Sequence, residues 1–275
     1  MLRELKNRIF ICYLLISAIL VIFPLLHILF SVFINGVPVV MKYGIDFLTG
    51  TLPAPNKPDG GIFPAIYGTF LMVFIASLIG IPLAVLAGVF VAEYPNNTIS
   101  KATRSLLLIM MEFPTILVGL FVMAIFVVPT GSFSALAGSF ALAIVMLPYV
   151  ATYTEQAMRS VPRQFKEGAY ALGLRKCRVV FSITLKIAKK GVVTGLLIGM
   201  AKVAGETAPL IFTAGNAWRS TGSVFEPNGA IPLWIYYLIQ QPYANYHEIA
   251  WGAAFVLMVF FLAIFLPIRF SMVRS

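Results

Sequence analysis

Two opposite charges, Lys202 and Glu206, interrupt an apolar stretch that runs from about residue 192 to residue 213. Because they are four positions apart, they lie on the same face of a helix, one turn from each other. A charge in the middle of a membrane span costs roughly 2.5–3.5 kcal/mol on insertion scales, so such groups usually face a cavity or one another. A lysine in this place can act as the counter-charge of an anion, and a carboxylate can hold the lysine or exchange a proton.

The residues after the pair predict a disturbed helix. Pro209 has no N–H group to donate to the carbonyl of Gly205, which predicts a free acceptor near both charges and a kink. Two interpretations stay open at this point. The pair either holds the helices together as a buried ion pair, or it lines a substrate pathway in which Lys202, Glu206 and Thr207 are the translocation residues.

The composition indicates that membrane helices position these charges. The chain is 60% hydrophobic and 11% charged, whereas soluble domains are about 45–50% apolar and about 25% charged. A spanning helix needs about 20 apolar residues, which predicts an all-α, polytopic membrane protein with six transmembrane helices. The first apolar run is too long for a signal peptide, whose apolar region has roughly 7–15 residues, so we expect it to be retained. The predicted spans are 9–34, 65–92, 106–128, 133–153, 192–213 and 249–268.

The positive charges predict the orientation of these spans. Of the 20 lysines and arginines, 16 lie in segments that are inside when the N-terminus is cytoplasmic, three lie in outside loops, and Lys202 lies within a span. Positive residues concentrate on the cytoplasmic side of membrane proteins. We therefore expect a multi-pass protein of the cytoplasmic membrane with both termini inside. This distribution explains the basic balance without any nucleic-acid partner.

The loop at about 155–190 is the largest predicted inner segment. Pro162 suits the first turn of a short helix and Gly173 suits its end, with Phe165, Ala169 and Leu172 forming one apolar stripe. The second half is expected to form a helix at the cytoplasmic membrane surface, whose apolar face contains Val179, Ile183 and Ile187. Composition alone also allows a basic loop that only anchors the topology. Glu155, at the end of the fourth predicted span, is expected to pair with an arginine of the loop.

One pattern in this loop resembles the permease subunits of ATP-binding-cassette (ABC) importers, whose loop has the form E-A-A-x3-G-x9-I-x-L-P. The spacing is kept here, while Gly168 replaces the first alanine and Lys186 replaces the proline. The resemblance implies that the loop docks into a groove of an ATPase subunit. The chain has no G-x-x-x-x-G-K-[ST] motif of its own, so ATP and Mg are expected on a separate ATPase chain. The implied coupling residues are Glu167, Gly168, Ala169, Gly173, Ile183 and Leu185.

A second pattern, Gly205-Glu206-Thr207-Ala208-Pro209-Leu210 followed by Phe212-Thr213-Ala214, is similar to the signature of permeases of phosphate-specific ABC importers. That family usually has arginine where this chain has Lys202. The resemblance implies the type I ABC importer permease fold with a cytoplasmic coupling helix, and inorganic phosphate as substrate. It also implies three partners: a second permease subunit (PstC-like), an ATPase subunit dimer (PstB-like) and an extracytoplasmic phosphate-binding protein (PstS-like).

The predicted organisation has three parts, a first helix and outer loop (1–64), a permease domain (65–268) and a cytoplasmic tail (269–275). Two other transporters stay open: a proton-coupled secondary transporter of an anion, and an ABC permease for a different oxyanion. A third alternative, a membrane enzyme with its site at the inner face, lacks candidate nucleophiles, paired carboxylates and metal-ligand spacing. We therefore expect no catalytic residues, no metal site and no enzyme activity on this chain.

Overall fold

The computed structural model describes residues 2–57, 60–219 and 222–273. These residues form helices and loops, with no strand within the described ranges, which confirms the all-α prediction. The end of the predicted tail, Arg274 and Ser275, lies outside the described residues. The helices are α1 (Leu2–Tyr43), α2 (Asp46–Thr49), α3 (Phe63–Glu93), α4 (Thr98–Glu112), α5 (Thr115–Val122), α6 (Val128–Thr130), α7 (Ala135–Arg159), α8 (Arg163–Ala171), α9 (Lys176–Val179), α10 (Leu185–Ala204), α11 (Ala208–Ile211), α12 (Ile231–Ile239) and α13 (Ala244–Val273). Two π-helical turns, Met123–Val127 and Val180–Thr184, join α5 to α6 and α9 to α10.

Four of the described helices are long and apolar enough to cross a membrane, namely α1, α3, α7 and α13. A fifth crossing is possible if α4 and the helix that follows it form one broken span. The segment predicted as the fifth span, 192–213, is not one helix, because α10 ends at Ala204 and α11 begins only at Ala208. The prediction of six spanning helices is therefore not fully confirmed.

The predicted span at 106–128 is bent rather than continuous. Its first arm is α4, which begins at Thr98. This start lies in the segment between the predicted spans 65–92 and 106–128, which we expected to be a loop. Asn97 caps that start, accepting a hydrogen bond from the Ile99 amide at 2.8 Å. The two arms meet at 102°, because Pro114 disfavours helical geometry at the preceding residue, and Phe113 is extended with ψ 132°.

The centre of the bundle is α7, which packs between α3 and α10. Its contact with α10 is close because three glycines, spaced by four residues, face it. A Cβ atom added to Gly195 would lie 2.5 Å from the Tyr153 Cβ atom, and one added to Gly199 would lie 2.4 Å from Val150. The third, Gly191, meets Ala157 in the same way. Small residues allow such approach in membranes, where dispersion contacts replace the hydrophobic effect between helices.

Two outer segments differ from the expectation. The first helix does not end near residue 34 but continues to Tyr43, because Gly36 lets it pack directly on Phe255 of α13. The aromatic segment around Trp234, which lies outside the predicted spans, forms the short helix α12 and points partly inward. Trp234 is fully buried, and its indole N–H donates to the Ala217 carbonyl at 3.3 Å.

The cytoplasmic loop begins with a helix where the sequence placed one. Pro162 precedes α8, and Gly173 follows it with φ +76°, the left-handed geometry that glycine adopts readily. The expected apolar stripe is mostly exposed: Ala169 is buried, but Phe165 and Leu172 face outward.

The second half of the loop does not form a separate surface helix. It continues through a π-helical turn directly into α10, so α9 and α10 form one interrupted helix. A π turn adds one residue to the repeat and rotates the following face. As a result Val179 is buried while Ile187 is exposed, and the predicted common face is wrong.

Candidate functional site

The ammonium group of Lys202 and the carboxylate of Glu206 form an ion pair at the end of α10. They differ in environment: the Lys202 side chain is 40% exposed, whereas that of Glu206 is only 8% exposed. Lys202 is in the last turn of α10, where a positive charge is favoured by the helix dipole. The pair therefore presents a cation to open space and a carboxylate that holds it from within.

The backbone beside the pair is interrupted. After Ala204 the chain leaves the helix for Gly205, Glu206 and Thr207, and the Glu206 amide turns back to the Val203 carbonyl at 3.1 Å. The kink expected at Pro209 is thus a full break. Thr207 is half-buried, and its carbonyl accepts from the amide of Leu210 at 3.1 Å, which starts α11.

The break is held in place by α5, the second arm of the bent span. Gly119 of α5 lies against Pro209 so closely that a Cβ atom there would be 2.7 Å from the Pro209 Cα atom. On the other side, the Thr213 hydroxyl donates to the Pro209 carbonyl at 2.8 Å. The interruption is therefore a fixed feature of the fold rather than a frayed helix end.

This arrangement places an ammonium group beside an interrupted backbone. A half-exposed ammonium group can pair with an anion, and the break after α10 leaves backbone groups that a continuous helix would use internally. Within the described ranges, no group of three His, Cys, Asp or Glu side chains is placed to hold a metal ion.

Four of the six predicted coupling residues lie on α8 or directly after it, and the other two lie where the π-helical turn meets α10. Glu167 and Gly168 are exposed on α8, Ala169 is buried beneath them, and Gly173 ends the helix. Ile183 lies in the π-helical turn and Leu185 opens α10, both partly buried. The structure therefore separates this group from Lys202, which lies 17 positions beyond Leu185, roughly 26 Å along the helix. The same helix connects the two groups.

Sequence reasoning missed one cluster at the inner ends of the helices. Glu93, the last residue of α3, forms an ion pair with Lys166 of α8 at 2.5 Å. The available signal was an acidic residue at the end of an apolar span, facing a loop rich in lysine and arginine.

The expected pairing of Glu155 with an arginine is confirmed. One Glu155 carboxylate oxygen lies 2.8 Å from Nε of Arg159 and 3.2 Å from Nε of Arg104, and the Glu155 side chain is buried. Arg159 belongs to the same helix, α7, whereas Arg104 belongs to α4. The contact to Arg104, which the sequence did not predict, fixes the first arm of the bent span against α7.

Comparison with known proteins shows the family of this chain. Residues 80–274 match the family described as "Binding-protein-dependent transport system inner membrane component". The chain belongs to this family. The permease is also 54% identical, over 98% of its length and 95% of the relative's, to the "Probable phosphate transport system permease protein PstA" of Methanocaldococcus jannaschii. It is 36% identical to the "Phosphate transport system permease protein PstA" of Haemophilus influenzae, over 95% of this chain and 92% of that protein.

Solved structures agree on the fold of the permease. A chain of the MetNI methionine ABC transporter, in an inward-facing conformation, superposes with a TM-score of 0.55 at 20% identity, covering 77% of the permease and 91% of that chain. An amino acid ABC transporter with histidines gives a TM-score of 0.54 at 19% identity, covering 77% and 94%. The fold is thus that of a type I ABC importer permease, as the sequence predicted.

Proposed function

We propose that this permease carries inorganic phosphate across the cytoplasmic membrane as one subunit of an ATP-driven importer. The observation that carries the proposal is the Lys202–Glu206 pair at a fixed break in α10, in a chain whose relatives over nearly its full length are named phosphate transport permeases. Lys202 supplies the counter-charge for the anion. Glu206 orients the ammonium group from the buried side, and Thr207 lies next to it in the same break.

The energy is supplied by a separate ATPase dimer that contacts α8. Two large apolar side chains are exposed here, Phe165 of α8 at 53% and Leu172, directly after the helix, at 82%. Exposed apolar groups beside charged ones are typical of surfaces that another protein covers. Glu167, Gly168, Ala169, Gly173, Ile183 and Leu185 are the coupling residues in this proposal. ATP and Mg bind to the ATPase, and this chain carries neither.

The remaining components follow from the same proposal. A second, PstC-like permease completes the pathway, PstB-like subunits supply ATP hydrolysis, and a PstS-like protein delivers phosphate from outside. Both termini are cytoplasmic, because the inner segments contain most of the positive charges. In this arrangement α8 faces the cytoplasm, where ATP is available.

Reconstitution of the four components into liposomes tests the function. We expect uptake of labelled phosphate only under two conditions. ATP must be present on the side of the membrane that carries the ATPase, and the binding protein must be present on the opposite side. Sulfate in excess should compete weakly and arsenate strongly, since arsenate has the geometry and charge of phosphate. Uptake by the permease without any ATPase, driven by a pH gradient, would instead establish a proton-coupled transporter.

A further inference from the structure

The buried carboxylate of Glu93 joins the short cytoplasmic helix α8 to the end of the long helix α3. Its side chain is 6% exposed, and Lys166 of α8, its partner at 2.5 Å, is 22% exposed. A second lysine comes from α9: the Lys176 ammonium group donates to the Glu93 carbonyl at 3.2 Å and lies 3.6 Å from the centre of the Tyr94 ring. Both charged contacts cross from the bundle to the loop.

The contact between Glu93 and Lys166 is important for α8 because few of the helix's own side chains are buried against the rest of the molecule. Ala169 is the only buried residue of α8, and the large apolar residues beside it face outward. An ion pair with one largely buried partner is costly to break, since the remaining charge is left unpaired in a low-dielectric place. The exposed pair of Lys42 and Glu248 at the other end of the molecule, with side chains about half exposed, is of the kind that contributes little.

The helix attached to this joint reaches the opposite side of the molecule. Glu93 ends α3, and Thr69 near its beginning accepts a hydrogen bond from the Ile231 amide at 2.9 Å. These two positions are 24 residues apart, roughly 36 Å along a helix. Between them α3 lies tightly on α7: a Cβ atom at Gly88 would be 2.4 Å from the Ala151 carbonyl oxygen. Such close packing favours movement of α3 and α7 as one body.

We propose that Glu93 is a positioning residue for energy coupling: its carboxylate ties α8 to α3 through Lys166, so that a displacement of α8 moves α3 and the outer segment bonded to its far end. Lys176 of α9, which contacts the Glu93 backbone carbonyl, supports the same junction. The proposal rests on the function proposed above. It assigns Glu93 no contact with phosphate and no part in ATP hydrolysis. Its loss should therefore weaken the connection between hydrolysis and transport rather than either binding event.

The test measures ATP hydrolysed per phosphate transported, in liposomes containing the complete assembly. For Glu93→Gln, which keeps the shape and removes the charge, we expect uptake to fall roughly tenfold while hydrolysis falls much less, so the ratio rises. Lys166→Gln should have the same effect. The exchange Glu93→Lys with Lys166→Glu should recover part of the coupling. Glu248→Gln, which breaks the exposed pair, is the matched control and should leave the ratio unchanged.

Several results would overturn the proposal. An unchanged ratio in Glu93→Gln with normal uptake would show that the pair is not needed for coupling. Failure of both Glu93→Gln and Lys166→Gln to insert or assemble would show a purely structural pair. A parallel fall of uptake and hydrolysis with no recovery in the exchanged variant would lead to the same conclusion. If the unmodified assembly shows no ATP-dependent uptake, the proposed function fails instead, so the two failures are distinguishable.

Discussion

Gly119 of α5 lies in direct backbone contact with Pro209, the second residue of α11 after the break that ends α10. There is no space for a side chain between them. We expect Gly119→Ala to force the two segments apart and to destabilise the protein by about 1–3 kcal/mol, the usual cost of overpacking. The melting temperature in detergent and the rate of phosphate uptake should both fall. Gly168→Ala is the control for the melting temperature, because nothing lies within 4 Å of that position. Equal melting temperatures for the two variants would contradict this prediction.

The charged pair should matter to transport more than to folding. Lys202→Gln removes the half-exposed cation and keeps a side chain of similar length that can still donate a hydrogen bond to Glu206. A charge-assisted hydrogen bond to the substrate is worth about 1.5–3 kcal/mol, so uptake should fall roughly tenfold to a hundredfold while the protein still inserts. Lys202→Arg should remain active, since it keeps the charge and presents a fork suited to phosphate oxygens.

The double change Lys202→Gln with Glu206→Gln separates the two roles of the pair. A purely structural pair would be rescued, because no lone charge is left. A pathway pair would stay inactive, because phosphate still lacks its counter-charge. Labelled uptake, normalised to the amount of protein in the membrane, measures the difference, and full recovery in the double variant would refute the pathway role.

The end of α8 should be sensitive to any side chain at Gly173. This residue has φ +76°, which costs a residue with a Cβ atom about 1 kcal/mol or more. We expect Gly173→Asp to lose ATP-dependent uptake with the protein still present in the membrane. Gly131→Asp is a matched control, since Gly131 has φ +68°, equally open surroundings and a place in a loop predicted to be outside. Similar uptake for both variants would indicate that α8 serves only as an anchor.

The orientation can be checked with thiol labelling. Both cysteines, Cys12 and Cys177, are exposed, so the background is Cys12→Ser. In that background an impermeant reagent should reach Cys177 only from the cytoplasmic side. With Cys177 also replaced, Phe225→Cys, at a position whose side chain is 70% exposed, should react only from outside. Reaction of both positions from the same side would contradict the predicted orientation.

The helices with strong apolar patterns were predictable, and the interruptions were not. The span predicted at 65–92 agrees with α3, and the bounds of α8 agree with Pro162 and Gly173. Prolines alone did not show where helices break: α3 and α7 continue through Pro82 and Pro148, whereas the chain bends at Pro114. The difference lies in the neighbouring helices, which a single sequence does not reveal.

The candidate site was predictable in its residues but not in its form. Lys202 and Glu206 are four positions apart, a spacing that predicts their pairing on one helix face. The structure contains the pair, although Glu206 lies beyond the end of α10. The break at residues 205–207 depends on α5, whose contact with Pro209 joins segments about 90 positions apart. The ion pair of Glu93 was likewise not predictable, because it depends on the fold that brings Lys166 close to it.

The glycine row on α10 also bears on biosynthesis. The surface of α7 that receives Gly191, Gly195 and Gly199 is translated before α10 and enters the bilayer without its partner. When α10 follows, its glycines bring its backbone into direct contact with Val150 and Tyr153. Close packing between the helices, rather than the removal of water, is then the gain on docking.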